Sequence, residues 1–140
     1  MFEQDYLVRL LLQFFKGITR SLELRLEHDD PEAAADTLET AIGEATEMDG
    51  AVLLSLTPDS IAQIMQATAV DPNVTQFVAR SMLLESVYLA DAGDVALSEL
   101  RASQARAIAA AYGFDLPSDP ADFDSITEGL EEAALSGSFE

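Results

Sequence analysis

The chain has 140 residues and a formal charge of −19, from 26 acids set against seven bases, with no cysteine, no tryptophan and one histidine. That length suffices for one hydrophobic core without disulfides or a structural metal, and a hydrophobic fraction of 49% is that of a folded protein. The same inventory excludes cysteine chemistry and leaves His28 as the sole imidazole.

Helical periodicity runs through nearly the whole chain, and no β-alternation of useful length occurs. The opening Met1-Phe2-Glu3-Gln4-Asp5 is acidic where a signal peptide starts basic, and Arg9, Gln13 and Lys16 interrupt the apolar run that follows. A cytoplasmic, soluble protein without membrane contact is therefore expected. Arg9, Gln13, Lys16, Arg20, Glu23 and Glu27 recur at steps of three and four, drawing one polar stripe along a first helix of roughly residues 4–27. The rest of that circumference is apolar. So wide an arc makes this either the central helix of the domain or one whose Leu7, Leu11 and Phe14 meet a second copy of the chain in a homodimer.

Asp30-Pro31 reads as an N-cap followed by a proline at the first helical position. The second helix then runs to about Met48 with Ala34, Leu38, Ile42 and Ala45 inward, Glu32, Asp36, Glu39 and Glu47 outward, and Gly50 as its stop. Residues 52–56 form an apolar connector. Thr57-Pro58 starts a third helix with Ile61, Ile64 and Met65 inward, and Asp71-Pro72 a fourth that lasts to about Ala92. Gly93 breaks it, Asp94 caps a fifth, and Gly113-Phe114 with Pro117 ends that one at Tyr112. From Ser118 the chain changes character. Phe123, Ile126 and Leu130 keep helical spacing among acids and glycines, as in a marginal docked helix or a disordered acidic tail.

Charge is unevenly placed. Residues 29–79 hold ten acids and no base, and residues 117–140 seven acids and no base. Phosphate binding needs a basic face, which cannot be assembled outside the first helix, so no nucleic-acid partner is expected. The distribution suits either a basic protein partner or a surface selected for solubility.

At an offset of 62 the chain matches itself: Leu12 with Val74, Phe15 with Phe77, Leu22 with Leu84, Leu26 with Tyr88, Ala34 with Ala96, Leu38 with Leu100. Leu84, Tyr88, the Gly93-Asp94 turn, Ala96 and Leu100 resemble the seam of a tetratricopeptide-type helical hairpin, although the offset departs from that repeat's period of about 34. The opening, from Asp5-Tyr6-Leu7-Val8-Arg9 through Phe14-Phe15, resembles the start of a family of small uncharacterised bacterial helical proteins (a domain of unknown function). That second resemblance implies no activity and no catalytic residues.

Few residues suggest chemistry. His28-Asp29-Asp30 with Glu32 could gather ligands in a turn, but ligand spacing is missing and Asp30 is already a cap. Glu44/Glu47 and Glu131/Glu132 are paired carboxylates that face outward by phase, and Asp122-Phe123-Asp124 lacks the glycine and the terminal glutamate of a calcium loop. Tyr6, Tyr88 and Tyr112 with Arg80, Arg101 and Arg106 could line a groove or belong to rim and core.

The sequence thus predicts an all-α domain over 1–116, with five main helices forming two antiparallel hairpins bridged by a third helix, tetratricopeptide-like or an orthogonal bundle, and an acidic segment over 117–140. The expected function is a non-catalytic interaction or scaffolding module, acting through a helical groove or self-association, with no cofactor and no metal. Its alternatives are a small-molecule sensor or enzyme with a pocket between the hairpins, and an acidic nucleic-acid mimic that decoys a basic protein. Leu7, Leu11, Phe14, Arg80, Tyr88, Arg101 and Arg106 are the candidate interaction residues.

Overall fold

A computed structural model describes residues 2–68 and 70–117, with the side chains of 2–5 and 7 excepted. The expectations attached to residues 118–140, including Phe123, Ile126 and Leu130, lie outside the described residues. Within them the protein is all-α, with six helices and no strand: α1 (Phe2–Leu26), α2 (Pro31–Thr46), α3 (Gly50–Leu53), α4 (Pro58–Ala67), α5 (Pro72–Asp91) and α6 (Val95–Tyr112). None of these helices is long and apolar enough to cross a membrane.

The helix starts are capped by the residues that the sequence singles out. Asp30 accepts from the Ala33 amide (3.0 Å), Thr57 from Ser60 (3.3 Å), Asp71 from Asn73 (2.8 Å) and Asp94 from Leu97 (3.2 Å). Each satisfies one amide that the first turn leaves orphaned. At the end of α5, the amides of Gly93 and Asp94 return to the carbonyls of Ala90 (3.0 Å) and Leu89 (2.9 Å), a Schellman ending that turns the chain directly into α6.

Two features differ from the sequence reading. Gly50 does not stop α2: Glu47 ends that helix in the left-handed region (φ 57°), and Asp49 then caps the short α3 through the amides of Ala51 and Val52. Gly50 instead lets α3 lie against α2, because a Cβ there would stand 2.7 Å from the Glu39 carbonyl. A four-residue helix leaves no periodic signature, which is why the segment reads as a connector.

The other difference is which helix is central. α5 packs against α2 on one side and α6 on another, with α1 touching it only lightly, while α4 lies on α6. Val74, Phe77, Val78, Met82, Leu84, Tyr88 and Leu89 of α5 are all buried, and around them lie Leu38 and Ile42 of α2, Ile61 and Met65 of α4, and Ile108 of α6. α1 takes an edge position along α2, close enough that a Cβ at Gly17 would meet the Ala41 methyl at 2.7 Å.

The internal match at offset 62 does not carry through to environment. It pairs Leu26, 76% exposed, with Tyr88, 2% exposed, and buried Ala34 with exposed Ala96. An edge helix and a central helix bury different arcs, so equal sequence spacing does not give equal burial.

Candidate functional site

The chemically distinctive region lies where α2, the α3–α4 link, α5 and α6 converge. Arg101 projects from α6 into the core and is only 3% exposed. A buried guanidinium must be paired and hydrogen-bonded to be tolerated. Here its Nε donates to Glu85 Oε2 (2.9 Å), one terminal nitrogen to the Leu54 carbonyl (2.8 Å) and Gln104 Oε1 (3.0 Å), and the other to Glu39 Oε2 (3.3 Å). Gln104, also fully buried, donates its amide to the carbonyls of Leu54 (3.0 Å) and Leu56 (2.7 Å). Two side chains one helical turn apart on α6 therefore hold the α3–α4 link by its backbone, supplying partners for carbonyls that no helix satisfies.

Glu85 is the unusual member. It is completely buried on α5, and its Oε1 has no hydrogen-bond partner. Burial pushes its carboxyl up to about 8 from an ordinary 4.5, against the opposing pull of Arg101, while the Glu39 carboxylate bonded to the same guanidinium adds to the rise. Glu39 itself keeps 29% of its side chain exposed and so connects this core to the surface.

That surface is a groove of about 540 Å³ lined by Glu39, Thr40, Gly43, Glu44, Glu47, Met48, Asp49, Gly50 and Ala51. It exists because Glu47 and Asp49 reverse the chain between α2 and α3 while Gly43 and Gly50 allow the two backbones to approach. Among the described residues four carboxylates line it and no base does. A second hollow of about 450 Å³ lies between Tyr6 and Leu10 of α1, the end of α2, and Thr68, Val70, Asp71, Pro72 and Val74. There the Tyr6 hydroxyl donates to Glu47, a contact that raises the Tyr6 pKa because ionisation would set two anions side by side.

The sequence candidates are dispersed. Leu11 (0% exposed) and Phe14 (2%) are core residues facing their own chain, and the side chain of Leu7 lies outside the described ones. Tyr88 is buried, with its hydroxyl 3.1 Å from Ser21 Oγ of α1; burial raises its pKa, partly offset by that hydrogen bond. Arg80 stacks over the Phe77 ring at 5.2 Å, and Arg106 is exposed. Arg101 alone belongs to the convergent cluster, and none of these arginines or Tyr88 lines either hollow. His28 is exposed in the α1–α2 turn, where Arg25 bridges Asp29 and Asp91. Among the described residues no three His, Cys, Asp or Glu side chains gather as a cation site would require.

Sequence reasoning missed Glu39, Glu85 and Gln104. Glu39 looks like an outward acid by phase, yet its length carries it to Arg101. Glu85 does leave a trace: it is the one charge in the run Ser81 to Ala90, where a helix otherwise buries its residues on most sides. Comparisons with protein-family models, curated proteins and solved structures return no match.

Proposed function

We propose that the protein is a non-catalytic interaction module that receives a lysine- or arginine-rich segment of a partner protein in the acidic groove between α2 and α3. What carries this reading is the character of the groove: open, lined by Glu39, Glu44, Glu47 and Asp49, and free of cations. A small-molecule pocket organised by arginines is less supported, because Arg101 already spends four of the five N–H groups of a guanidinium within the core and Arg80 lies over a ring. Residues 29–79, which include the groove, contain ten acids and no base, so a cationic segment is steered towards it from a distance set by salt.

The test is titration of fluorescent Lys/Arg-rich peptides and uncharged controls. Binding should weaken as salt rises and should be lost in Thr40→Lys/Glu44→Lys, whose side chains are exposed and outside the buried cluster. Absence of binding at low salt, or binding that ignores the reversal, overturns the reading.

A second reading, self-association through α1, rests on a different row from Leu11 and Phe14. Val8, Leu12, Phe15, Leu22 and Leu26 follow heptad spacing on the adjoining face, half-buried along most of its length and 76% exposed at Leu26. Light scattering of the wild type and of Leu22→Glu/Leu26→Glu tests it: a monomer in both discards this reading.

A further inference from the structure

Arg101 supplies one positive charge, and two carboxylates, Glu39 and Glu85, bond to it inside the same joint. With both ionised, the buried cluster would hold a net negative charge, and Glu85 Oε1 would be an anionic oxygen without a donor. Such a group neutralises rather than remain charged in a low-dielectric interior. A proton on Oε1 removes the excess charge and turns the orphaned acceptor into a donor, with the Glu39 carboxylate on the same guanidinium as its acceptor. We propose that Glu85 holds a proton, directed at the Glu39 carboxylate, in the contact of α2 with α5 and α6, and that this proton acts as a pH-sensitive clamp on the joint.

The groups facing Glu85 are few. From α2 comes Glu39 and from α6 Arg101, which also holds the uncharged Gln104 and the Leu54 carbonyl of the α3–α4 link. Among the described residues, Arg101 and Glu39 are the charges that act on it. The burial of Glu85 favours its neutral form, and so does the repulsion of Glu39. On release of the proton, two carboxylates compete for one guanidinium. The more exposed of them, Glu39, is the one that can turn outward, and doing so frees α2 from α6 and deepens the negative charge of the groove. This holds whether or not the groove receives a basic partner.

The direct measurement is carbon-13 NMR of the glutamate side-chain carboxyls in the intact protein. Glu85 should titrate with a midpoint several units above the other glutamates, and Glu39→Gln, which removes the charge while leaving one acceptor oxygen, should move that midpoint down. A Glu85 midpoint in the ordinary carboxylate range overturns the proposal, and so does a high midpoint that Glu39→Gln leaves unchanged, which would reduce it to burial alone. A second arm follows melting temperature against pH in the wild type and in Glu85→Gln, which keeps the shape and the neutral donor. The wild type should lose melting temperature relative to the variant as pH rises from about 5 to 8. Parallel profiles refute the clamp.

Discussion

Replacing Arg101 with methionine removes the cation from the joint while roughly keeping its aliphatic volume. Four hydrogen bonds disappear, but their consequences differ. The Leu54 carbonyl keeps its bond from Gln104 (3.0 Å), and Glu39 can be rehydrated. Gln104 Oε1 and Glu85 Oε2 lose their donor in a dry interior. With Glu85 neutral no bare charge is left behind, but two unsatisfied buried polar groups cost about 1–3 kcal/mol each. A domain of this size has about 5–15 kcal/mol in all, so the melting temperature should fall by about 10–20 °C. The sign of the pH dependence follows from Glu85. Arg101 is the group that draws its pKa down, so in Arg101→Met it rises beyond about 8. The carboxyl then stays neutral in the folded variant and must shed its proton on unfolding at higher pH. Relative to wild type, the loss is therefore smallest near pH 5 and grows, by up to about 1.4 kcal/mol per pH unit, on the alkaline side of pH 8. Arg101→Met/Glu85→Met, which substitutes apolar groups for both charges, should recover most of the loss. Urea unfolding followed by circular dichroism at pH 5, 7 and 9 measures all three proteins. A loss below about 1 kcal/mol in the single variant, or a double variant no more stable than the single, refutes the reasoning.

Other substitutions probe the rest of the frame. Gly50→Ala should destabilise by about 1–2 kcal/mol despite alanine's better helix propensity, since its Cβ would press on the Glu39 carbonyl at 2.7 Å; a thermal melt without a shift would show that α3 moves away freely. Thr75→Val should be neutral or stabilising by up to about 1 kcal/mol, because the fully buried Thr75 hydroxyl has no partner; a clear loss in chemical denaturation would reveal one. Leu11→Asp should abolish folding rather than convert a dimer to a monomer, since Leu11 is 0% exposed within its own chain; a cooperatively melting variant refutes this.

The parts of this fold legible in sequence are those fixed by neighbours in sequence. Asp30, Thr57, Asp71 and Asp94 each bond an amide two or three residues on, and Gly93 turns the chain within one helical turn. The inward row of α2 follows from period alone. What stayed hidden depends on partners far along the chain. Glu85 meets Arg101 16 residues later, and Arg101 reaches back 62 residues to Glu39 and 47 to Leu54. The periodicity of α5 says that its faces are buried but not that a charge among them will be neutral. The breadth of the apolar arc on α1 suggests a central helix, whereas that place falls to α5, whose buried row includes the serines and threonine that lower its apparent hydrophobicity. Small polar side chains disguise a core helix: Ser86 gives its hydroxyl to the Leu83 carbonyl, while those of Thr75 and Ser81 are buried without a partner.

The α3–α4 link is grasped by its main chain, and every amino acid brings the same carbonyl oxygen. Mutation at positions 54 and 56 therefore cannot delete the acceptors that Arg101 and Gln104 use; it can only change how the side chains fill space. The polar half of the joint is encoded at two positions on α6, one turn apart, while the other half comes free with any polypeptide. Under random mutation the fastening is thus lopsided. Substitutions at 101 and 104 should be purged, the exposed Ser55 between the two carbonyls should drift, and Leu54 should be restrained only by its volume in the core.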